Sequence, residues 1–194
     1  GSEMCIRDRY ENIVYEYLAF LTDTGKYGDA EELILEEESD YNKVGRDTRN
    51  YRFLYIAGEM YFKTGNSTLA EAYFKRAAIY VLPNNRLDYI ELNAGIAKCM
   101  WKAKKYTLMH LTLTNMEKFV SQEDMHSPRG KRIVSSLYRY MAIYESNCFN
   151  FPMALKLAER ALNIYAPLYE TKQGDQIQEI EDKLGYAAIL NNIS

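Results

Sequence analysis

With 194 residues, the chain is long enough for one domain with a sizeable core, and its net charge of −3 argues against a general polyanion-binding protein. Three cysteines without CxxC spacing argue against a disulfide framework or a zinc site and suit a cytoplasmic location. No apolar run approaches the roughly 20 residues that span a bilayer. Only 4 prolines and 10 glycines interrupt the chain, which is typical of an all-α protein.

The first nine residues are set apart from the fold. Gly1-Ser2 looks like a cloning scar, and the stretch "SEMCIRDR" is similar to translated sequencing-adapter sequence. We therefore assign residues 1–9 to an artefactual leader and residues 10–194 to a helical repeat domain. If the native start has been lost, the lack of a signal peptide here carries no weight.

The next part of the chain predicts four helices in two pairs. Leu18 belongs to a first periodic segment that "TDTGKYGD" interrupts, and Asp29 is a candidate cap for the second helix. After "SDYNKVGRD" a third helix runs to the break "KTGNS". Thr68 lies three residues before Glu71, which is the spacing of a capping box, and the fourth helix should end near Val81.

Four further helices and a terminal helix are expected downstream. One pair should run from Tyr89 to Lys102 and from Tyr106 to Val120, followed by "SQEDMHSPRG", the longest loop. Ser127-Pro128 suits the cap and first position of the next helix. "SNCFNFP" separates that helix from "MALKLAERALNIY", which should end near Pro167, and a ninth helix is expected over about 176–190.

Residues 51–84 carry a pattern of large, small and aromatic positions across one helix pair. The first helix supplies Leu54, Ala57, Gly58 and Tyr61, and the second supplies Ala70, Phe74 and Ala77, with Pro83 near its end. This pattern resembles a tetratricopeptide repeat (TPR), which implies a right-handed αα superhelix. Helices approach to about 8 Å only where side chains are small. We therefore expect Ala70 beside Gly58, with Phe74 and Tyr61 reaching the next repeat.

Similar units are predicted over about 11–44, 88–123 and 135–168. The residues Ala30, Ala70, Met109 and Ala154 take equivalent positions in the four units. The terminal segment has an apolar stripe of Ile177, Ile180, Leu184 and Ala188, which would cap the last pair or begin a fifth repeat of a longer array. The alternative to TPR-like units is a set of generic hairpins from another αα family.

The TPR resemblance implies binding of an extended peptide or helix in a concave groove lined by the first helix of each pair. The corresponding candidate residues are Tyr15, Tyr55, Glu59, Phe62, Leu92, Ile96, Arg139 and Ile143. The Lys/Asn/Arg set that clamps acidic chaperone tails in some TPR domains is missing, so an apolar or amphipathic segment is the expected ligand. The same side chains could instead pack within the solenoid.

No catalytic, metal or cofactor pattern stands out, and the chain is expected to be a non-enzymatic scaffold or adaptor. His110 and His126 lack neighbours at metal-ligand spacing. The acidic run "GDAEELILEEESD" is read as a solvated face or a site for a basic partner, and "KAKK" and "PRGKR" as basic helix ends. The alternatives are a sensory or peptide-receptor module of a larger signalling protein and a structural subunit of an assembly. Nucleic acid and a membrane span are not expected, whereas self-association is possible.

Overall fold

The computed structural model describes the backbone of residues 2–43, 51–81 and 85–170. The α-helices are α1 Ser2–Asp23, α2 Tyr27–Lys43, α3 Tyr51–Lys63, α4 Ser67–Tyr80, α5 Arg86–Lys102, α6 Tyr106–Glu117, α7 Pro128–Asn147 and α8 Phe151–Glu170, with a 3-10 helix at Gln122–His126. Throughout these ranges the only regular structure is helical, which confirms the all-α prediction. The predicted helix over 176–190 lies outside the described residues.

The helices pack as antiparallel pairs within two compact units, residues 1–85 and 86–194. The pairs are α1–α2 and α3–α4 in the first unit, and α5–α6 and α7–α8 in the second. In the first unit α3 contacts both α1 and α2, and in the second unit α7 contacts both α5 and α6. Each unit is therefore a stack of two hairpins, in which the first helix of the second hairpin packs against both helices of the first hairpin.

The turns inside the four pairs have the same backbone geometry. Each has one residue at positive φ, namely Gly25 (74°), Gly65 (88°), Lys104 (57°) and Phe149 (60°). The next N–H, from Lys26, Asn66, Lys105 or Asn150, donates to the carbonyl five residues earlier at 2.8–2.9 Å. This is the Schellman arrangement that ends a helix. It places Ala30, Ala70, Met109 and Ala154 at the same point of each second helix.

Two of these turns hold a bulky residue where glycine has no steric penalty. A residue with a Cβ in the left-handed region costs roughly 1–2 kcal/mol. Lys104 and Phe149 therefore make their turns less stable than the turns at Gly25 and Gly65.

The structure corrects two of the predicted helix caps. Helix α4 is capped by Asn66, whose side-chain Oδ1 accepts a hydrogen bond from the backbone N–H of Leu69 at 3.2 Å, and not by Thr68. Asn is as good a cap as Thr or better, and Asn66 is also the residue whose N–H closes the Schellman turn. Asp29 lies in the first turn of α2, which begins at Tyr27, and its charge suits the helix N-terminus there.

Four helix ends also differ from the predictions. Helix α1 begins at Ser2 rather than Tyr10, and the assignment of residues 1–9 to a leader stays a prediction. The second unit begins its first helix at Arg86 rather than Tyr89, and α6 ends at Glu117. Helix α8 continues through Pro167 to Glu170. Pro167 has no N–H to donate to the carbonyl four residues earlier, so this part of α8 has one backbone hydrogen bond fewer.

Gly58 faces Phe74 rather than the predicted Ala70. The three atoms nearest to where a Gly58 Cβ would lie all belong to the Phe74 ring, at 2.7–3.0 Å. The Phe74 ring also lies 5.6 Å from the ring of Tyr55, and Tyr61 stacks on Tyr73 at 5.3 Å. These aromatics therefore make ring contacts within their own helix pair. Ala70 and Ala77 are fully buried, as expected for small residues at the crossing.

We expect Gly58→Ala to lower the free energy of unfolding by roughly 1–3 kcal/mol, because the new Cβ would overlap the buried Phe74 ring. Chemical denaturation would measure this loss. The double variant Gly58→Ala/Phe74→Leu should lose less than the sum of the two single variants, since a smaller side chain makes room for the Cβ. Strict additivity would show that the ring is not what Gly58 accommodates.

The two hairpins of each unit are also joined by one ion pair between their second helices. The pairs are Glu38–Arg76 at 2.6 Å in the first unit and Glu117–Arg160 at 3.3 Å in the second. Each guanidinium also covers a tyrosine ring, Tyr73 or Tyr138. Burial raises the pKa of Tyr138 to about 12, so its hydroxyl stays neutral under ordinary conditions. The equivalent placement of the two pairs supports a common repeat plan.

A compact connection joins α6 to α7. The predicted loop contains the 3-10 helix, and Ser127 caps α7 by accepting from the N–H of Gly130 at 3.0 Å, with Pro128 next as predicted. Asp124 is buried beneath Arg86, which donates to it at 2.7 Å.

Candidate binding face of the first helices

The clearest candidate face lies on α3. Tyr55, Glu59 and Phe62 follow one another at i, i+4 and i+7, and all three are partly exposed. The opposite side of α3 is buried through Leu54, Ala57, Gly58 and Tyr61. The predicted row therefore lies on the side of α3 that faces away from the core of the first unit.

Tyr15 supplies the equivalent position on α1, a helix that α3 contacts directly. It is also partly exposed. The Tyr55 ring packs against the buried ring of Phe74, so a substitution there would also disturb the core of the first unit. We therefore test ligand binding through Phe62 and Glu59.

The second unit divides the predicted residues into two groups. Leu92 and Ile96 on α5 are 1% and 6% exposed, so they contribute to the core of that unit. Arg139 and Ile143 on α7 are partly exposed, and the Arg139 guanidinium lies 4.5 Å from the centre of the Tyr140 ring. For Leu92 and Ile96 the structure thus favours the packing alternative over ligand contact.

The acidic run on α2 is mostly a solvated face, but Glu38 pairs with Arg76 and Glu37 is buried. Glu31, Glu32 and Glu36 are exposed. Glu37 is only 7% exposed and accepts a hydrogen bond from the hydroxyl of Tyr10 at 2.7 Å. This carboxylate ties α2 to α1 and is not available to a basic partner.

An apolar row on α1 was not singled out from the sequence. Tyr10, Ile13, Tyr17 and Phe20 are each more than half exposed and recur at spacings of three and four. The sequence shows that these four residues recur at helical spacing. It does not show that they are exposed, because the buried stripe of α1 (Val14, Leu18 and Leu21) has the same spacing.

A second exposed cluster lies at the hairpin turns of the second unit. His110 in the first turns of α6 stacks on Tyr144 in the last turn of α7, with ring centres 4.2 Å apart. The α5–α6 and α7–α8 turns therefore lie at the same end of this unit. Phe149 and Phe151 are 80% and 60% exposed there. In the sequence "KAKK" and "NCFNFP" are separate segments with no visible relation, and only the helix packing brings them to the same end of the unit.

Metal and membrane features can be assessed for the described ranges. Among those residues, no three His, Cys, Asp or Glu side chains are grouped so that they could share a metal ion. His126 is exposed. None of the described helices has the length and hydropathy to cross a membrane.

Comparisons with protein-family models, curated proteins and solved structures gave no match to this chain.

Proposed function

We propose that this chain is a non-enzymatic scaffold or adaptor whose hairpins form a TPR-like, right-handed stack. Its ligand would be a peptide or partner helix, bound along the outer face of the first helices. The observation that carries the proposal is the row Tyr55–Glu59–Phe62, which is partly exposed on α3, whereas Leu54, Ala57, Gly58 and Tyr61 on the same helix are buried.

The chemistry of this row favours an amphipathic ligand. Phe62 and the exposed edge of Tyr55 offer apolar contact two turns apart, which matches anchor residues at i and i+7 of a bound helix. Glu59 lies between them and favours a basic residue at the edge of the ligand. Aromatic side chains are typical of the residues that carry most of the binding energy in an interface.

A structural subunit of an assembly is a second candidate, favoured by the exposed α1 row of Tyr10, Ile13, Tyr17 and Phe20. Exposed apolar rows of this kind mark contact surfaces in many proteins. The two candidates use different helices, so substitutions on α3 and on α1 separate them.

The adaptor proposal predicts that Phe62→Ala weakens ligand binding about tenfold, because an aromatic anchor is lost. A displayed library of random peptides would be selected against the full chain, and the affinities of the enriched peptides would be measured by fluorescence anisotropy. Glu59→Lys should shift the selection from basic toward acidic peptides.

Ile79→Ala serves as the matched control, since Ile79 is 75% exposed on α4 of the same unit. It should leave the affinity unchanged. Circular dichroism would confirm that each variant is folded. Equal affinities for the parent chain and Phe62→Ala would show that the α3 face is not the binding site.

A further inference from the structure

The turn-end surface of the second unit combines exposed aromatic rings with positive charge. We define it by Lys102, Lys104, Lys105, Phe149 and Phe151, all of which are exposed. The rings of Phe149 and Phe151 form an edge-to-face pair with centres 6.2 Å apart. The stacking of His110 on Tyr144 places both turns at this end.

Charge is segregated toward this end. Residues 92–116 and 145–158 together contain five lysines and a single acidic residue, Glu145, although the whole chain has a net charge of −3. The Glu145 carboxylate accepts a hydrogen bond from the side-chain amide of Asn150 at 2.7 Å. The turn-end surface is therefore positive on a protein that is negative overall.

The opposite end of the same unit carries the acidic residues. Arg129 at the start of α7 binds Asp88 and Glu91 at the start of α5, both at 2.5 Å. Arg86 binds Asp124. There Arg129 and Arg86 are matched by carboxylates, whereas residues 92–116 and 145–158 contain five lysines and one acidic residue.

Phe149 is held outward by its backbone. Its φ of 60° lies in the left-handed region, where a bulky residue is an outlier, and the equivalent positions in the first unit are both glycine. A strained residue that is also 80% exposed gains nothing from burial in its own fold. Such an outlier points to a role outside the fold.

We propose that the turn-end surface docks on an anionic lipid bilayer. Exposed phenylalanines at a hairpin turn can enter the boundary between headgroups and acyl chains, while the lysines beside them meet anionic headgroups. The lysine side chains are long enough to keep their charges at the headgroups while the rings go deeper. The protein would lie on the surface through one end, without crossing the membrane.

The only tryptophan of the chain allows membrane binding to be measured by its own fluorescence, without an added label. Trp101 is partly buried three residues before Lys104, with the Lys102 ammonium 4.9 Å from the centre of its ring. The full chain would be mixed with phosphatidylcholine vesicles containing either no anionic lipid or about 30% phosphatidylserine. We expect a blue shift of the emission, quenching by brominated acyl chains, and at least roughly tenfold stronger partitioning into the anionic vesicles. Raising NaCl to about 0.5 M should weaken that partitioning.

Two double variants separate the insertion of the phenylalanine rings into the bilayer from the attraction of the lysines to anionic headgroups. Phe149→Gly/Phe151→Ser should reduce partitioning about tenfold or more, because both exposed rings are lost. Its melting temperature should not fall on account of position 149, since glycine relieves the strained backbone. Lys104→Gln/Lys105→Gln should mainly remove the preference for anionic vesicles. Leu35→Ser is the control, because Leu35 is 57% exposed on α2 in the other unit.

The lipid proposal is overturned by any of three results. The first is no binding of the chain to anionic vesicles at low salt, and the second is equal binding to neutral and anionic vesicles. The third is an unchanged affinity of Phe149→Gly/Phe151→Ser for anionic vesicles. If vesicles are ignored while binding of a library-selected peptide depends on Phe149, the surface docks a protein instead and the lipid proposal is wrong. The α3 substitutions test the adaptor proposal separately, because they lie in the first unit.

Discussion

Gly130→Ala should lower the free energy of unfolding by about 2–4 kcal/mol, a larger loss than expected for Gly58→Ala. A Cβ at Gly130 would collide with the backbone carbonyl oxygen of Asp124, and would lie 2.9 Å from Oγ of Ser127. The carbonyl belongs to the backbone and cannot rotate away, and the Ser127 hydroxyl is held by its capping hydrogen bond from the Gly130 N–H. The 3-10 helix would have to move away from α7, which would break the buried contacts of Asp124.

Denaturant unfolding followed by circular dichroism would measure this loss. Gly28→Ala is the matched control, since Gly28 also lies in the first turn of a helix and a Cβ there meets nothing within 4 Å. It should be neutral or stabilising by up to about 1 kcal/mol, because alanine is the better helix former. Similar losses for the two variants would mean that helix position rather than the Asp124 carbonyl decides the effect.

Asp124→Asn should lower the free energy of unfolding by about 2 kcal/mol at neutral pH. The carboxylate of Asp124 accepts from Arg86 at 2.7 Å, from the backbone N–H of Ser121 at 2.7 Å, and from the Ser121 hydroxyl at 3.2 Å. An amide carries no charge to meet the arginine and has only one acceptor oxygen. Asp124 itself is 3% exposed, so water does not replace the lost bonds.

The lowered pKa of Asp124 determines how its contribution to the free energy of unfolding changes with pH. Burial alone would raise the pKa of Asp124, but the hydrogen bonds from Arg86 and Ser121 outweigh it and hold the pKa below its usual value of 3.8. A carboxyl with a lowered folded pKa stabilises the protein fully above its unfolded pKa of about 4. That stabilisation is lost as the pH falls through the folded pKa.

Unfolding free energies measured from pH 7 down to about pH 2.5 would test this loss of the Asp124 contribution at low pH. The parent chain should lose stability below about pH 4 more steeply than Asp124→Asn, and the two curves should converge at the acid end. His126→Ala is a suitable control because His126 is exposed in the same 3-10 helix. Parallel curves for the parent chain and Asp124→Asn would show that Asp124 is not a paired carboxylate.

The candidate binding face was only partly predictable. The spacing of Tyr55, Glu59 and Phe62 placed them on one side of α3, and the structure leaves that side partly exposed. The same reasoning applied to α5 selected Leu92 and Ile96, which are buried. Spacing along one helix says which residues share a face, but not which neighbour covers that face.

The sequence alone determined the elements whose causes are local. The individual helices, the turns at Gly25 and Gly65, the equivalent positions of Ala30 and Ala70, and the cap at Ser127 all depend on hydrogen bonds between residues a few positions apart. Such bonds form wherever the local residues allow them. Even so, the choice between Asn66 and Thr68 as a cap required knowledge of where the preceding turn ends.

Only the tertiary structure decided the features that join distant segments. It placed Phe74 rather than Ala70 against Gly58, and it buried Asp124, which lies in a polar loop, under an arginine 38 residues away. It also brought the "KAKK" turn beside the turn at Phe149. Whether a polar or apolar side chain is buried depends on which helices cross over it, and the packing of the whole unit fixes those crossings.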